Sequence, residues 1–198
     1  GYGLFSNAGA HRMDSDVPLL IPEVNPEHLD LVAHQQANRG WQQGFIVTNP
    51  NCTSIPMTMA LAPLQPRFGV EAVVVTSMQA LSGAGYPGVP SLDAMDNIIP
   101  RVAESEEIKM NDEPNKMLGL SNGRQVEMAG ITISAHCNRV PVTDGHLVAV
   151  SARFKNKPSL DDILPSFTAS STSYRCSSLD FTGAAPYPSS AISLSSRL

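Results

Sequence analysis

Residues 45–56, FIVTNPNCTSIP, place one cysteine at a junction between two kinds of sequence. Phe45-Ile46-Val47 is a short apolar run of the composition found in buried strands. Cys52 is followed by Thr53-Ser54 and then by Ile55, Met57, Met59, Leu61 and Leu64, mixed with Ala and Pro. That spacing predicts a helix from residue 53 to about residue 65, with Pro56 tolerated in its first turn. A strand leading directly into a helix is a building unit of α/β folds. The thiol between them has two readings. Cys is a small apolar residue often buried in cores. A helix N-terminus also lowers a thiol pKa and turns the sulfur into a nucleophile.

Outward from this junction the same alternation recurs. Residues 17–24, VPLLIPEV, form an apolar run broken by prolines and read as a strand or extended segment. Asn25 suits a helix N-cap and Pro26 the first helical position, so a helix is expected to run to about residue 38. Residues 70–81, VEAVVVTSMQAL, read as a buried strand and residues 91–99 as a short helix. Residues 104–118 form a charged, helical stretch, which Pro114 is expected to break. Residues 126–138 and 146–154 read as two more strands, the second alternating as Leu147, Ala149, Ser151. The class is α/β, or α+β. Residues 166–198 differ: 11 of these residues are Ser, periodicity is weak, and a disordered or aberrant tail is expected.

Composition narrows the function. Hydrophobic residues make up 42% of the 198 and charged residues 16%. The first figure permits a full core; the second is low and suits a chain that buries surface in a subunit interface. A net charge of −5 argues against nucleic acid, which needs a basic patch. No apolar run approaches the roughly 20 residues of a membrane-spanning helix, and no signal peptide is visible. Cys52, Cys137 and Cys176 form no C-x-x-C pair. An odd, sparse count fits a reducing compartment, so a cytoplasmic location is expected. That location also removes Asn51-Cys52-Thr53 as a glycosylation acceptor.

Two further stretches carry chemistry. Gly83-Ala84-Gly85-Tyr86-Pro87-Gly88 matches G-x-G-x-x-G. However, Pro87 sits where a dinucleotide-binding helix should run, so a loop that lets a ligand approach the backbone is the better reading. Residues 135–146, AHCNRVPVTDGH, hold two histidines, an arginine and a cysteine around Asp144-Gly145, a hairpin turn signal. His136, Cys137 and His146 lack a zinc spacing, so no metal is expected.

Four stretches together are specific: SNAGAHRMDSDVPLLIPEVNPEHL (6–29), TNPNCTS (48–54), MQALSGAGYPGVPSLDAMDNIIP (78–100) and CNRVPVTDGH (137–146). In this order the chain resembles the aspartate-β-semialdehyde dehydrogenase family, in its archaeal and fungal branch. The resemblance implies the end of a Rossmann-like NADP domain (1–51), then part of a mixed-sheet catalytic and dimerisation domain (52–165), then the tail (166–198). It implies Cys52 as nucleophile, His146 as general acid/base, and Gln79 as the residue that positions the thiohemiacetal and acyl intermediates. Arg139 would grip the substrate carboxylate. Glu106 and Lys109 match a Glu-x-x-Lys pair for the substrate amino group and phosphate, with Glu107 as an alternative to Glu106. Arg12 matches a phosphate-binding arginine, and Asn51 lies beside it. Ser82 and Gly83 match positions at the nicotinamide end of NADP.

The implied reaction is NADP-dependent reductive dephosphorylation of β-aspartyl phosphate to aspartate semialdehyde through a Cys thioester. It belongs to the pathway to Lys, Thr, Met and Ile, and the partners would be substrate, phosphate and further copies in a dimer or tetramer. Two alternatives stand beside it: an enzyme like N-acetylglutamyl-phosphate reductase, and a non-catalytic truncated isoform. The family opens with a glycine-rich turn for the NADP phosphates, and this chain opens beyond it, at Gly1-Tyr2-Gly3. These residues alone are therefore expected to be inactive and aggregation-prone.

Overall fold

Strict alternation in residues 73–79 builds the centre of the molecule. The computed structural model describes residues 1–103 and 105–173. Strand β1 (Gly3–Ser6) is followed by helix α1 (Leu31–Arg39) and by β2 (Phe45–Thr48). β1 and β2 run parallel, with Gly3 opposite Phe45 and Ser6 opposite Thr48. Parallel neighbours need a crossover, and α1 lies within it. Helices α2 (Ser54–Leu61) and α3 (Gln65–Phe68) lead to β3 (Val70–Gln79). Then come α4 (Ser91–Ala94), β4 (Ile99–Pro100) and α5 (Glu106–Met117). A two-stranded ladder of β5 (Leu120–Ser121) and β6 (Val126–Glu127) precedes β7 (Thr132–Arg139), β8 (Leu147–Phe154) and α6 (Leu160–Ser173).

Four strands form a mixed sheet in the order β4-β7-β3-β8. β3 is parallel to β7 and antiparallel to β8, and β4 is antiparallel to β7. Side chains alternate between sheet faces, so Val73 and Val75 share one face with Ile133, Ala135, Val150 and Ala152 across the register. Met57 and Leu61 of α2 and Met110 of α5 close over that face to form the main core. The other face carries Val74, Thr76 and Met78, with Ser134 and His136 on one side and Leu147, Ala149 and Ser151 on the other. Val74 and Leu147 are more than half exposed there.

The structure corrects several sequence expectations. β7 and β8 are not a hairpin, because β3 lies between them. The Asp144-Gly145 segment instead crosses the end of β3, and Leu81 and Ser82 donate N–H bonds to Val142 O and Thr143 O as it passes. Pro114 does not break α5, which runs through it to Met117. The helix loses one backbone bond at a proline. Its last turn is held by tertiary bonds instead, with Asn115 paired to both backbone groups of Ile131. Asn25 makes no side-chain cap, and residues 26–30 form a 3-10 turn ahead of α1. The Asn25 amide bonds Ile21 N–H, Leu19 O and His28 Nδ1. Helix α6 continues to Ser173, past the residue 165 boundary set for the tail; the rest of that expectation lies outside the described residues. Among the described residues no helix is long and apolar enough to cross a membrane.

Candidate active site

The parallel pair β3 and β7 ends in two polar side chains that the sheet register places side by side. Continuing the Val73, Val75, Ser77 alternation puts Gln79 on the buried face, directly opposite Arg139. Both are buried. In open α/β sheets, ligands bind beyond the carboxyl ends of parallel strands. A cleft of about 500 Å³ opens at this end, and Asn51, Cys52, Gln79, Gly83, Glu106 and Arg139 line it.

The β2–α2 junction brings the thiol there. Asn51 shapes this turn: its Oδ1 accepts from Thr53 N at 3.0 Å and Thr53 Oγ1 at 2.7 Å. The same oxygen lies 3.9 Å from Cys52 Sγ. Cys52 is exposed as a residue and lines the cleft, yet its thiol is partly desolvated. Burial therefore pushes the thiol up from its ordinary value, and the Glu106 carboxylate pushes the same way. The N–H groups of Thr53 and Cys52, and the Arg139 charge, pull it back without prevailing. The helix end, expected from sequence to raise the thiolate fraction, is outweighed here by burial and by Glu106. The resting form is the thiol.

Glu106 is the carboxylate of the cleft. It accepts from Asn51 Nδ2 at 3.0 Å and from Lys109 Nζ at 2.7 Å. Lys109, with Asn51 and Gln79 as donors, holds it ionised below the usual carboxylate range against the opposing effect of burial, the largest single influence. Glu107 points elsewhere and accepts from Cys137 N–H at 3.4 Å, which resolves the choice between the two in favour of Glu106 as the residue facing the cleft. Arg139 Nη1 donates to Ala80 O at 2.7 Å.

His146 arrives on the segment that crosses β3. Its Nδ1 lies 3.1 Å from Ala80 N and accepts that N–H. With Nδ1 occupied as an acceptor, the neutral ring carries its proton on Nε2. Burial, then the Arg139 charge, lower its pKa and keep it neutral. Gly83 separates the ring from the cleft. A Cβ on Gly83 would stand 2.8 Å from His146 Nε2 and 3.0 Å from Arg139 Nη1. The wall is bare backbone because no side chain fits there. Ser82 lies beside it.

The structure thus gathers Cys52, Gln79, Gly83, Glu106, Arg139 and Asn51 at one cleft, with His146 behind Gly83 and Lys109 behind Glu106. Arg12 is not on that wall. It is buried one layer back, where Nη1 donates to Glu113 Oε1 at 2.9 Å and Nη2 to Asn7 O at 2.8 Å. Its Nε has no hydrogen-bond partner. Glu113 and Lys116 were not among the residues read from sequence. Lys116 Nζ is buried and donates to Arg12 O, Asp14 O and Val17 O at 2.7–2.8 Å. Burial lowers its pKa to about 8. A charged helix reads as a solvated face, and nothing local marks these two as buried. Among the described residues no group of three or more His, Cys, Asp or Glu is arranged to hold a metal.

Comparison with known proteins gives the family and the fold. The family model described as semialdehyde dehydrogenase, dimerisation domain, matches residues 61–193. The chain is 55% identical to the aspartate-semialdehyde dehydrogenase of Archaeoglobus fulgidus over 167 residues, which is 84% of this chain and 48% of the relative. The fold is similar to a Candida albicans aspartate semialdehyde dehydrogenase solved with NADP, with a TM-score of 0.71 and 38% identity, over 83% of this chain and 48% of that one. It is also similar to a Vibrio cholerae aspartate semialdehyde dehydrogenase II solved with ASA, with a TM-score of 0.68 and 27% identity, over 84% and 52% of the two chains. The chain spans about half the length of these relatives.

Proposed function

The chain belongs to the semialdehyde dehydrogenase family, and on that premise we propose that it carries the chemical half of an NADP-dependent aspartate-semialdehyde dehydrogenase. In this reading residues 1–51 close the cofactor domain and residues 52–165 form the catalytic and dimerisation part. The observation that carries the proposal is one cleft holding a thiol, an arginine and an ionised glutamate. Arg139 matches a carboxylate and Glu106 an ammonium group. Together they orient an amino acid so that its far end meets Cys52. The N-acetylated substrate of the alternative enzyme has no ammonium for Glu106 to hold, which favours the aspartate reading.

Substrate bound between Arg139 and Glu106 holds its acyl carbon against Cys52 Sγ, converting an encounter into an oriented attack. The sulfur adds to that carbon, the bond to phosphate breaks, the thiol proton leaves with the departing phosphate, and a thioester remains on Cys52. Gln79 stands at the cleft floor to hold the substrate oxygen. His146 holds a proton on Nε2 next to the bare wall at Gly83 and delivers it as the sulfur and aldehyde part. NADPH, when bound, would supply the hydride. Ser82 and Gly83 would hold its nicotinamide end, and a wall without a side chain fits a flat ring there. Lys109 would receive the phosphate, with Arg12, buried one layer back and unpartnered at Nε, as a positive charge behind it.

The family's dimerisation role has a matching surface. The uncovered sheet face of β7, β3 and β8 is the place we assign to a second copy of the chain.

The direct test is acylation of Cys52. On mixing with β-aspartyl phosphate, a thioester mapped by mass spectrometry to Cys52 is expected. Cys52→Ser should abolish it. Arg139→Lys should raise the concentration needed, because lysine lacks the planar two-point grip. In a full-length enzyme that carries this segment, an NADPH-formation assay with semialdehyde and phosphate should show His146→Asn lowering kcat by roughly 10²–10⁴-fold with less effect on KM. Equal acylation of the Cys52→Ser chain, or preference for N-acetylglutamyl phosphate, overturns the reading.

A further inference from the structure

Helix α5 holds Asn51 at both ends. Glu106 and Glu113 are seven residues apart, close to two full turns, so they lie on one helix face. Met110 lies between them on the same buried stripe. Glu106 takes the Asn51 side chain through Nδ2 at 3.0 Å. Glu113 takes the Asn51 backbone, its Oε2 accepting the N–H at 2.7 Å. The other Glu113 oxygen accepts from Arg12 at 2.9 Å. Only 1% of Glu113 is exposed, so this carboxylate is held in place by two charge-assisted bonds with little competition from water. Asn51 in turn shapes the turn that carries Cys52 and bonds the carboxylate that faces the cleft.

From this clamp we infer that Glu113 is a positioning residue for the reaction: it fixes Asn51 and thereby sets Cys52 Sγ and Glu106 relative to one another. The inference rests on the amino-acid substrate reading of the cleft. Glu113 touches neither substrate nor sulfur. Its effect is confined to reactions that need the sulfur and the binding groups in register. A small neutral electrophile approaching from solvent needs only an accessible thiolate. An amino acid held by Arg139 and Glu106 needs alignment, and a displacement of the order of 1 Å costs such a reaction about 10²-fold.

The experiment compares the full 198-residue chain with its Glu113→Gln variant. Glu113→Asp keeps the charge beside Arg12 but has a side chain too short to span both partners, and it serves if Glu113→Gln does not fold. Two electrophiles are used, neutral iodoacetamide and zwitterionic 3-chloroalanine, with modification mapped to Cys52 by mass spectrometry. The Asn51 amide proton is followed by NMR in parallel. The wild-type chain is expected to show saturable modification by chloroalanine and a far-downfield, slowly exchanging Asn51 amide. In the variant the amide should move upfield and exchange faster. The limiting chloroalanine rate should fall on the order of 10- to 100-fold, while the iodoacetamide rate changes only a few-fold. An unmoved amide overturns the clamp. Equal slowing of both reagents, or no slowing of either, overturns the positioning role. Absence of saturation in the wild type, with the amide still moved in the variant, counts against the substrate reading and leaves the clamp standing.

Discussion

At Gly83 a single methyl group separates two consequences that are usually mixed. The backbone there is outside the left-handed region, so alanine meets no backbone strain. Its Cβ would however lie 2.6 Å from His146 Cε1 and 3.0 Å from Arg139 Nη1. Both side chains must move. We expect Gly83→Ala to melt close to the wild type while turnover falls by on the order of 10²-fold, read by calorimetry beside steady-state rates. A second residue-scale outcome concerns Cys52. Burial raises the thiol pKa, so little thiolate exists at neutral pH in the empty cleft. Modification by iodoacetamide should be slow at pH 7 and rise by about tenfold per pH unit until the raised pKa is reached. A rate already flat between pH 7 and 9 would mean that the helix end and Arg139 overcome burial after all. The sequence placed Cys52, Gln79, Glu106, Arg139 and His146 by resemblance, and the fold brings them to one place. It did not reveal which way the thiol titrates, because desolvation depends on neighbours distant in the chain.

Among the elements, α5 organises the most. Its buried stripe Glu106, Met110, Glu113 and Met117 alternates chemistry: a cleft ligand, a core residue, a clamp and a core residue. Its C-terminal end meets the 3-10 turn at residues 26–30 through His28. That ring is fully buried; Nδ1 accepts from Asn25 Nδ2 at 2.9 Å and Nε2 donates to Gly119 O at 3.2 Å. Burial lowers its pKa from 6.5. The unfolded chain therefore binds this proton first as pH falls. The stability that His28 contributes is complete above about pH 6.5 and declines as pH drops from there through the folded pKa. His146 adds an effect of the same sign. His28→Leu leaves Asn25 Nδ2 and Gly119 O short of a partner and should cost about 1–3 kcal/mol at pH 8. It should also flatten the fall in melting temperature between pH 8 and 5. A variant that melts with an unchanged pH slope would place the acid sensitivity in His146 or elsewhere.

At the scale of the whole molecule, the sheet has two unlike faces. α2 and α5 cover one. The other presents Val74, Thr76, Leu147 and Ala149, with no covering element among the described residues. Contiguous exposed apolar surface of this kind marks association sites, and the face is opposite the one that carries Gln79 and Arg139. Val74→Arg is expected to shift sedimentation toward the monomer while Cys52 keeps its acylation by β-aspartyl phosphate. Unchanged association in that variant would move the subunit contact to another surface. The two-point link between the first segment and α5, in which Lys116 reaches three carbonyls and Arg12 reaches Glu113, ties the β1–β2 unit to the sheet domain.

Local pattern alone determined the class of fold and most of its elements. The β-branched run at residues 70–79, the strand at Phe45–Thr48 and the helix after Cys52 each follow from side chains close in sequence. Strand order did not. Asp144-Gly145 looks like a hairpin turn because turn chemistry is local, whereas the insertion of β3 between β7 and β8 is a matter of which strand edges meet. Pro114 looks like a helix stop because its missing N–H is local, whereas the bonds that hold the turn beyond it come from Ile131 and the segment at residues 12–17. Glu113 belongs to the same class: in sequence it is one more charge on a polar helix, and only burial against Arg12 and Asn51, which lie 101 and 62 positions away in sequence, makes it a structural clamp.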